Sequence, residues 1–252
     1  MGSIIHYKKW VIAFDVHGGE QDKDAVNSFF NFCDQFKPDD RILGGDLWNF
    51  AALRKNASAE EKRDSLQTDY NLGCNFRDRF RPTKSLNGNH CERLWEWRDA
   101  DCGPASDLCA VWCEEIEKYY IKTKCEWKHY SKRNYLPIGN STNTFVSHGY
   151  SHGASAARNM ALAFSSVGNV HFGHIHAHQT YSVPTMRSRW ATSSGCLCKL
   201  DQDYNKTHLG TLAQEHGWAY GVWNTKTGEV LSWHARRAAS GKFIIPSDIV
   251  TL

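Results

Sequence analysis

The order of apolar runs along this 252-residue chain predicts an α/β fold in one domain spanning 1–252. Three observations carry that expectation. Short apolar runs alternate with helical stripes, the pattern of strands joined by crossover helices. Nearly every such run gives out at a histidine, aspartate or asparagine. The carboxyl-terminal part then turns β-rich with hairpin character, which suits a second sheet packed on the first.

Trp10 to Phe14 is a continuous run of β-formers and reads as a buried strand that delivers Asp15 and His17 at its carboxyl end. Val26, Phe29, Phe30, Cys33 and Phe36 recur at helical spacing, so a helix with one apolar stripe follows. Pro38-Asp39-Asp40 breaks the chain before a strand at Arg41–Leu43, which ends in Gly44-Gly45-Asp46. Ser58 with Glu61 has the capping-box pattern, and helical character is expected to continue through Leu66 and Tyr70 toward Leu72. After Pro82, a brief strand at Lys84–Leu86 leads into Gly88-Asn89-His90. A mainly helical insertion near 91–125 comes next, with a stripe through Leu108, Trp112, Ile116 and Tyr119. Alternation resumes with "TFVS" running into His148, a helix from about Ala154 to Phe164, and "NVHF" running into Gly173-His174. At the end, "WAYGVWN" and "EVLSWHA" flank the turn-like "TKTG", and "KFIIP" is a last strand.

Composition narrows the function classes. With 41% hydrophobic side chains and no linker-like or repetitive tract, the chain can bury one substantial core. A formal charge of +3 is too slight for the footprint of a dedicated nucleic-acid binder, although nucleic acid stays eligible as a substrate. Nine irregularly spaced cysteines without a CxxC pair predict reduced, mostly buried thiols. No apolar stretch has the length of a signal peptide or membrane span, so a cytoplasmic protein with no membrane partner is expected. Met1-Gly2 fails the myristoylation pattern because His6 stands where that signal wants Ser or Thr.

The strand exits gather seven candidate metal ligands: Asp15, His17, Asp46, Asn89, His148, His174 and His176. In Asp15-Val16-His17 and in His174-Ile175-His176 alternate residues project to one side, so each pair can share an ion. A carboxylate has two oxygens, and Asp46 could bridge two cations about 3.5–4 Å apart, as in hydrolytic two-metal sites. Mixed oxygen and nitrogen donors without a demanded thiolate suit manganese first, with iron or zinc as alternatives. Asn89 adds a neutral amide oxygen, which restrains negative charge where an anionic phosphate must approach. His90 beside it could protonate a leaving oxygen or stabilise the charge growing there. His152 competes with His148, but only His148 leaves the strand directly. The stretch from Arg77 to Arg81, "RDRFR", is read first as a solvated helical face, with phosphate contact at the rim as its alternative. His129, His208, His216 and His234 are expected at the surface or satisfied in the core, while His152 and His178 stand nearer to supporting roles. Most tryptophans and tyrosines are assigned to packing.

The succession Asp-x-His, Gly-Asp, Gly-Asn-His, His and Gly-His-x-His, from Asp15 to His176, resembles the calcineurin-like metallophosphoesterase superfamily. That resemblance implies a four-layer α/β/β/α sandwich of two mixed β-sheets flanked by helices, with a dinuclear metal site at the strand ends. It implies one ion on Asp15, His17, Asp46 and His176, a second on Asp46, Asn89, His148 and His174, and His90 beside the substrate. The implied reaction is hydrolysis of a phosphate ester by a metal-activated water or hydroxide, with no protein nucleophile. "GDLW" and the arginines lean toward phosphodiester, nuclease-like cleavage; the alternative is a phosphomonoesterase acting on protein or nucleotide. One departure concerns His90. The family usually places an acidic residue next, whereas here Cys91 intervenes before Glu92, which is the group that could still reach the imidazole. Outside enzymes the alternative is a non-catalytic metal-binding scaffold, whose mark would be lost ligands, and all seven are kept.

Overall fold

The computed structural model describes residues 6–100, 103–184, 189–200 and 213–245; Met1-Gly2, His208 and the Pro246 end of the last expected strand lie outside them. The amino-terminal half alternates as expected: β1 (Tyr7–Ala13), α1 (Lys23–Phe36), β2 (Asp40–Leu43), α2 (Leu66–Phe80) and β3 (Lys84–Leu86). Helices α3 (Asn89–Arg98) and α4 (Pro104–Thr123) then cross to β4 (Glu126–Lys128), and all four strands run parallel. Local chemistry starts the helices. The Asp22 carboxylate accepts from Ala25 N at the head of α1, and the Ser65 hydroxyl accepts from Thr68 N at the head of α2. The expected capping box does form between Ser58 and Glu61. It opens only a 3-10 turn at Glu61–Arg63, however, and α2 starts separately on its own cap.

The stripe on α4 is rotated from the expected one. Cys109, Trp112, Cys113, Ile116 and Tyr120 are buried while Leu108 is exposed, because the cysteines act as small apolar groups and draw their side of the helix inward.

The second sheet comprises β5 (Leu136–Pro137), β6 (Thr144–Ser147), β7 (Asn169–Phe172), β8 (His178–Val183) and β9 (Arg189–Ser194), with α5 (Ala156–Ala163) between β6 and β7. Its order is β5-β6-β7-β9-β8, with β6, β7 and β9 parallel and the two edges antiparallel. The carboxyl-terminal hairpin, β10 (Gly217–Asn224) and β11 (Val230–Arg237), does not build this sheet, contrary to expectation. With β12 (Phe243–Ile244) it extends the first one, in the order β12-β11-β10-β1-β2-β3-β4. The cause is the free edge of β1, to which β10 pairs from Tyr7↔Asn224 to Ile12↔Ala219. Trp218 and Tyr220 then pack on Phe29, Phe32 and Phe36 of α1.

Period-two alternation along β1 sorts the layers. Val11 and Ala13 join the buried side chains of α1 to α4, whereas Trp10, Ile12 and Phe14 meet Leu136, Ile138 and Val146 between the sheets. On the far face of the second sheet Val170, Phe172 and Ala191 pack on Ala157, Met160 and Ala161 of α5. The result is the α/β/β/α sandwich of two mixed sheets. All cysteines among the described residues are free, and all but Cys74 are buried. No helix among the described residues is long and apolar enough to cross a membrane.

Candidate metal centre

Because β1, β2 and β3 are parallel, and β6 and β7 likewise, each sheet brings its ligand-bearing exits to one edge. The backbone locks those exits together. Val16 and His17 N–H both donate to the Asp46 carbonyl at 2.9 Å, and Gly173 N–H donates to the His148 carbonyl at 2.9 Å. Across the sheets, His174 N–H reaches the Asp15 carboxylate at 2.9 Å. All seven expected ligands and His90 converge there. Asp15, His17, Asp46, His148 and His176 are buried, and Asn89, His90 and His174 are half-buried, so the site opens past the last three.

The donors fall into sets that share Asp46. One contains His17, Asp46 and His90, another Asp46, His148 and His174, each with ligand atoms within 4.8 Å of one another. His17 Nε2 faces His176 Nε2 at 3.1 Å, with Asp15 Oδ1 3.9 and 3.6 Å from them. On the other side His148 Nε2 lies 3.1 Å from Asp46 Oδ2 and 3.2 Å from Asn89 Oδ1, and His174 Nδ1 lies 2.9 Å from that same amide oxygen. Ligand atoms each about 2.1 Å from a first-row ion stand roughly 3.0–3.4 Å apart, so the spacing fits cations at both places. The far nitrogens are held as well: His148 Nδ1 lies 3.2 Å from the Gly44 carbonyl, and His176 Nδ1 lies 3.7 Å from Cys198 Sγ.

Backbone conformation marks the same residues. Asp15, His17, Asp46, His174 and His176 all have positive φ, between 49° and 72°. Such angles are uncommon outside glycine and cluster at functional sites. Gly45, at φ 112°, makes room for a ligand instead, since a Cβ there would collide with the His148 ring.

Electrostatics suits a cation. Burial pulls His17 and His174 down to about 4, so both are neutral lone-pair donors at pH 7. Burial would also lower His176, but Asp15 and Cys196 outweigh it and push the imidazole up to about 9. Burial alone would raise the Asp46 carboxyl; His148 and His90 override it and hold it well below the usual carboxylate range. The buried carboxylates thus favour positive charge at this place.

Support for His90 comes from a residue that the sequence did not indicate. His90 Nδ1 donates to Asn49 Oδ1 at 2.7 Å, and His90 N–H donates to Asp46 Oδ1 at 2.8 Å from the first turn of α3. Asn49 is anchored in turn by Asp69 on α2, whose buried carboxylate accepts N–H bonds from Gly19, Asn49 and Phe50. Glu92 does not take up the expected place beside His90. It accepts from Asn87 Nδ2, His129 and Tyr130 N, tying the β4 exit to α3, because its position on the helix turns it toward that loop. Cys198, also unforeseen, lies within 4.8 Å of the His17 and His176 donor atoms, and burial keeps it a thiol. Only the three-dimensional pairing of loops reveals these residues; no spacing rule connects them.

Other expectations resolve plainly. His152 is exposed in the loop, and the strand exit belongs to His148. Arg77 is buried under the Tyr119 ring and Arg79 lies over Phe30, near the end of α2 that feeds into β3 and so opposite the strand exits. The rim contact for this stretch is therefore excluded. His216 is buried with Nε2 3.0 Å from the Cys198 carbonyl, a satisfied core position.

No protein-family model matches the chain, and no curated protein does. Solved structures do match. Yfce, a phosphoesterase from E. coli, is similar at 12% identity and TM-score 0.38 over 89% of this chain and 98% of its own. Vps29 of Chaetomium thermophilum is similar at 10% identity and TM-score 0.48 over 94% and 92%. A novel phosphatase from Mycoplasma pneumoniae is similar at 10% identity and TM-score 0.48 over 99% and 98%. At this distance they add nothing to what the chain's own side chains say.

Proposed function

We propose that this chain is a metal-dependent phosphoesterase of the calcineurin-like kind. Asp15, His17, Asp46 and His176 would hold one divalent ion, and Asp46, Asn89, His148 and His174 a second, manganese being the first candidate. The observation that supports this reading is Asp46, which stands in two separate sets of converging donors, one with His17 and His90 and one with His148 and His174. When bound, such ions supply Lewis acidity at the phosphoryl oxygens and lower the pKa of water.

The chain's own groups do the rest. His90, at the open side, exchanges a proton with the leaving oxygen through Nε2 while Asn49 holds Nδ1. The amino-terminal end of α3 lies at the site, its His90 N–H on Asp46 Oδ1, so the positive end of the helix dipole favours an anionic substrate. Neutral imidazoles and a neutral Asn89 keep the ligand charge low, so an incoming phosphate is not repelled. Phosphodiesters are the finer substrate assignment, tested against monoesters; with Arg77 and Arg79 at the far end, "GDLW" is the motif that still favours them. A cytoplasmic setting agrees with the free thiols.

The test is to strip the protein with a chelator, add back Mn²⁺, Fe²⁺ or Zn²⁺ singly, and assay chromogenic mono- and diester phosphates. Hydrolysis should depend on added metal, and Asp46→Asn should lower it on the order of 10²-fold or more. The proposal fails if no ester is cleaved with any first-row metal, or if Asp46→Asn keeps turnover within a few fold.

A further inference from the structure

We propose that Arg93 is a substrate-binding residue of this site, its guanidinium taking two non-bridging oxygens of the phosphoryl group. The inference rests on the phosphoesterase reading above. Arg93 stands three residues after His90 on α3, and residues three apart share a helix face. Its Nη1 donates to the Asn49 carbonyl at 2.9 Å, while the Asn49 side chain accepts from His90 Nδ1 at 2.7 Å. One residue thus holds an imidazole and a guanidinium side by side at the half-buried mouth.

The chemistry needs such a group. A planar guanidinium offers paired donors matched to two phosphate oxygens, which would fix the orientation of a phosphoryl group that the ions attract. The arginines that the sequence offered for this role are turned elsewhere: Arg77 lies against Tyr119 and Arg79 against Phe30. Arg54 pairs with Glu61. Arg93 is placed by α3, the element that also supplies Asn89 and His90, so phosphate, ion and imidazole positions are set by one rigid helix.

A bland alternative is that Arg93 merely braces the Asn49 loop, and two variants separate the roles. Arg93→Gln keeps a donor for the Asn49 carbonyl but loses the charge, and Arg93→Lys keeps the charge but loses the fork. On the full-length, metal-loaded protein, inorganic phosphate binding is measured by calorimetry and as competitive inhibition, beside KM and kcat for a chromogenic ester. Arg93→Gln should weaken phosphate binding about tenfold or more and raise KM, with bound metal and melting temperature near wild type; such a loss is about 1.4 kcal/mol. Arg93→Lys should fall between. Phosphate affinity within about twofold of wild type overturns the inference, even if kcat drops, since a brace acts through His90. Should Arg93→Gln not fold, Arg93→Lys decides alone: a severalfold loss of phosphate affinity supports the contact and an unchanged value overturns it. Wild-type protein that neither binds phosphate nor cleaves esters sinks the phosphoesterase reading itself. Activity in wild type beside unchanged phosphate affinity in both variants sinks only the role of Arg93.

Discussion

Asp69→Ala is the substitution whose consequence can be worked most fully. The carboxylate is 8% exposed and accepts N–H bonds from Gly19 at 2.8 Å, Asn49 at 3.1 Å and Phe50 at 2.9 Å. Truncation leaves three backbone donors without that acceptor. An unsatisfied buried N–H costs about 1–3 kcal/mol, so the low end for three is about 3 kcal/mol. Relief of the buried charge, whose desolvation raises the carboxyl's pKa, works the other way and argues for that low end. In a chain of this size each kcal/mol shifts the melting temperature by roughly 2–4 °C, which gives a fall of roughly 6–12 °C. Thermal melts followed by circular dichroism read it directly, with urea unfolding as a second measure. Because Asn49 carries His90, turnover should drop too, although Asp69 touches no substrate. A melting temperature within about 2 °C of wild type would refute the view that this carboxylate clamps the exits of β1 and β2.

Three further outcomes follow from the same geometry. Gly45→Ala forces a strained φ of 112° and drives a Cβ into the His148 ring, so stability should fall by about 1–3 kcal/mol and bound metal should decrease; unchanged metal content by elemental analysis would count against this. Asn49→Ala removes the acceptor for His90 Nδ1 and should lower turnover about 10–100-fold with metal content intact, whereas turnover within twofold would show that the bond is idle. His234, pulled down to about 4 first by burial and then by His178 and Arg236, is neutral in the fold but takes a proton near 6.5 when unfolded. Its contribution is complete above pH 6.5 and is lost as pH falls toward 4, about 2 kcal/mol by pH 5; urea midpoints at pH 7 and 5 measure it, and a His234→Gln protein as pH-sensitive as wild type would contradict it.

How much was legible in the sequence depended on whether a residue's role is local. β3, β6 and β7 lie where their apolar runs placed them, and β1 and β2 begin only slightly earlier. The ligands at their exits were readable because strand period and glycine punctuation are properties of neighbouring residues. β9 was invisible because its buried Thr192, Ser193 and Ser194 carry no apolar run, and β8 because it is mostly polar. The hairpin β10–β11 was recognisable as a hairpin, but its membership of the first sheet depends on the open edge of β1, a partner more than 200 residues away. Asn49 and Asp69 were unreadable for the same reason: each matters through a loop brought close by folding. The rotated stripe of α4 shows a subtler limit, since the thiols of Cys109 and Cys113 pack as apolar groups and move the buried face away from Leu108.

The left-handed turns at Asp15, His17, Asp46, His174 and His176 have a consequence for anyone who would re-engineer this protein. Each asks an ordinary residue to adopt a shape that costs about 1 kcal/mol or more and that glycine would accept freely. Glycine replacements there would ease the main chain while abolishing the donors, so selection for thermal robustness alone would tend to erode the centre. A library screened for heat tolerance without a metal requirement should drift toward sturdy, inert descendants. Durability and chemistry pull on the same five positions in opposite directions.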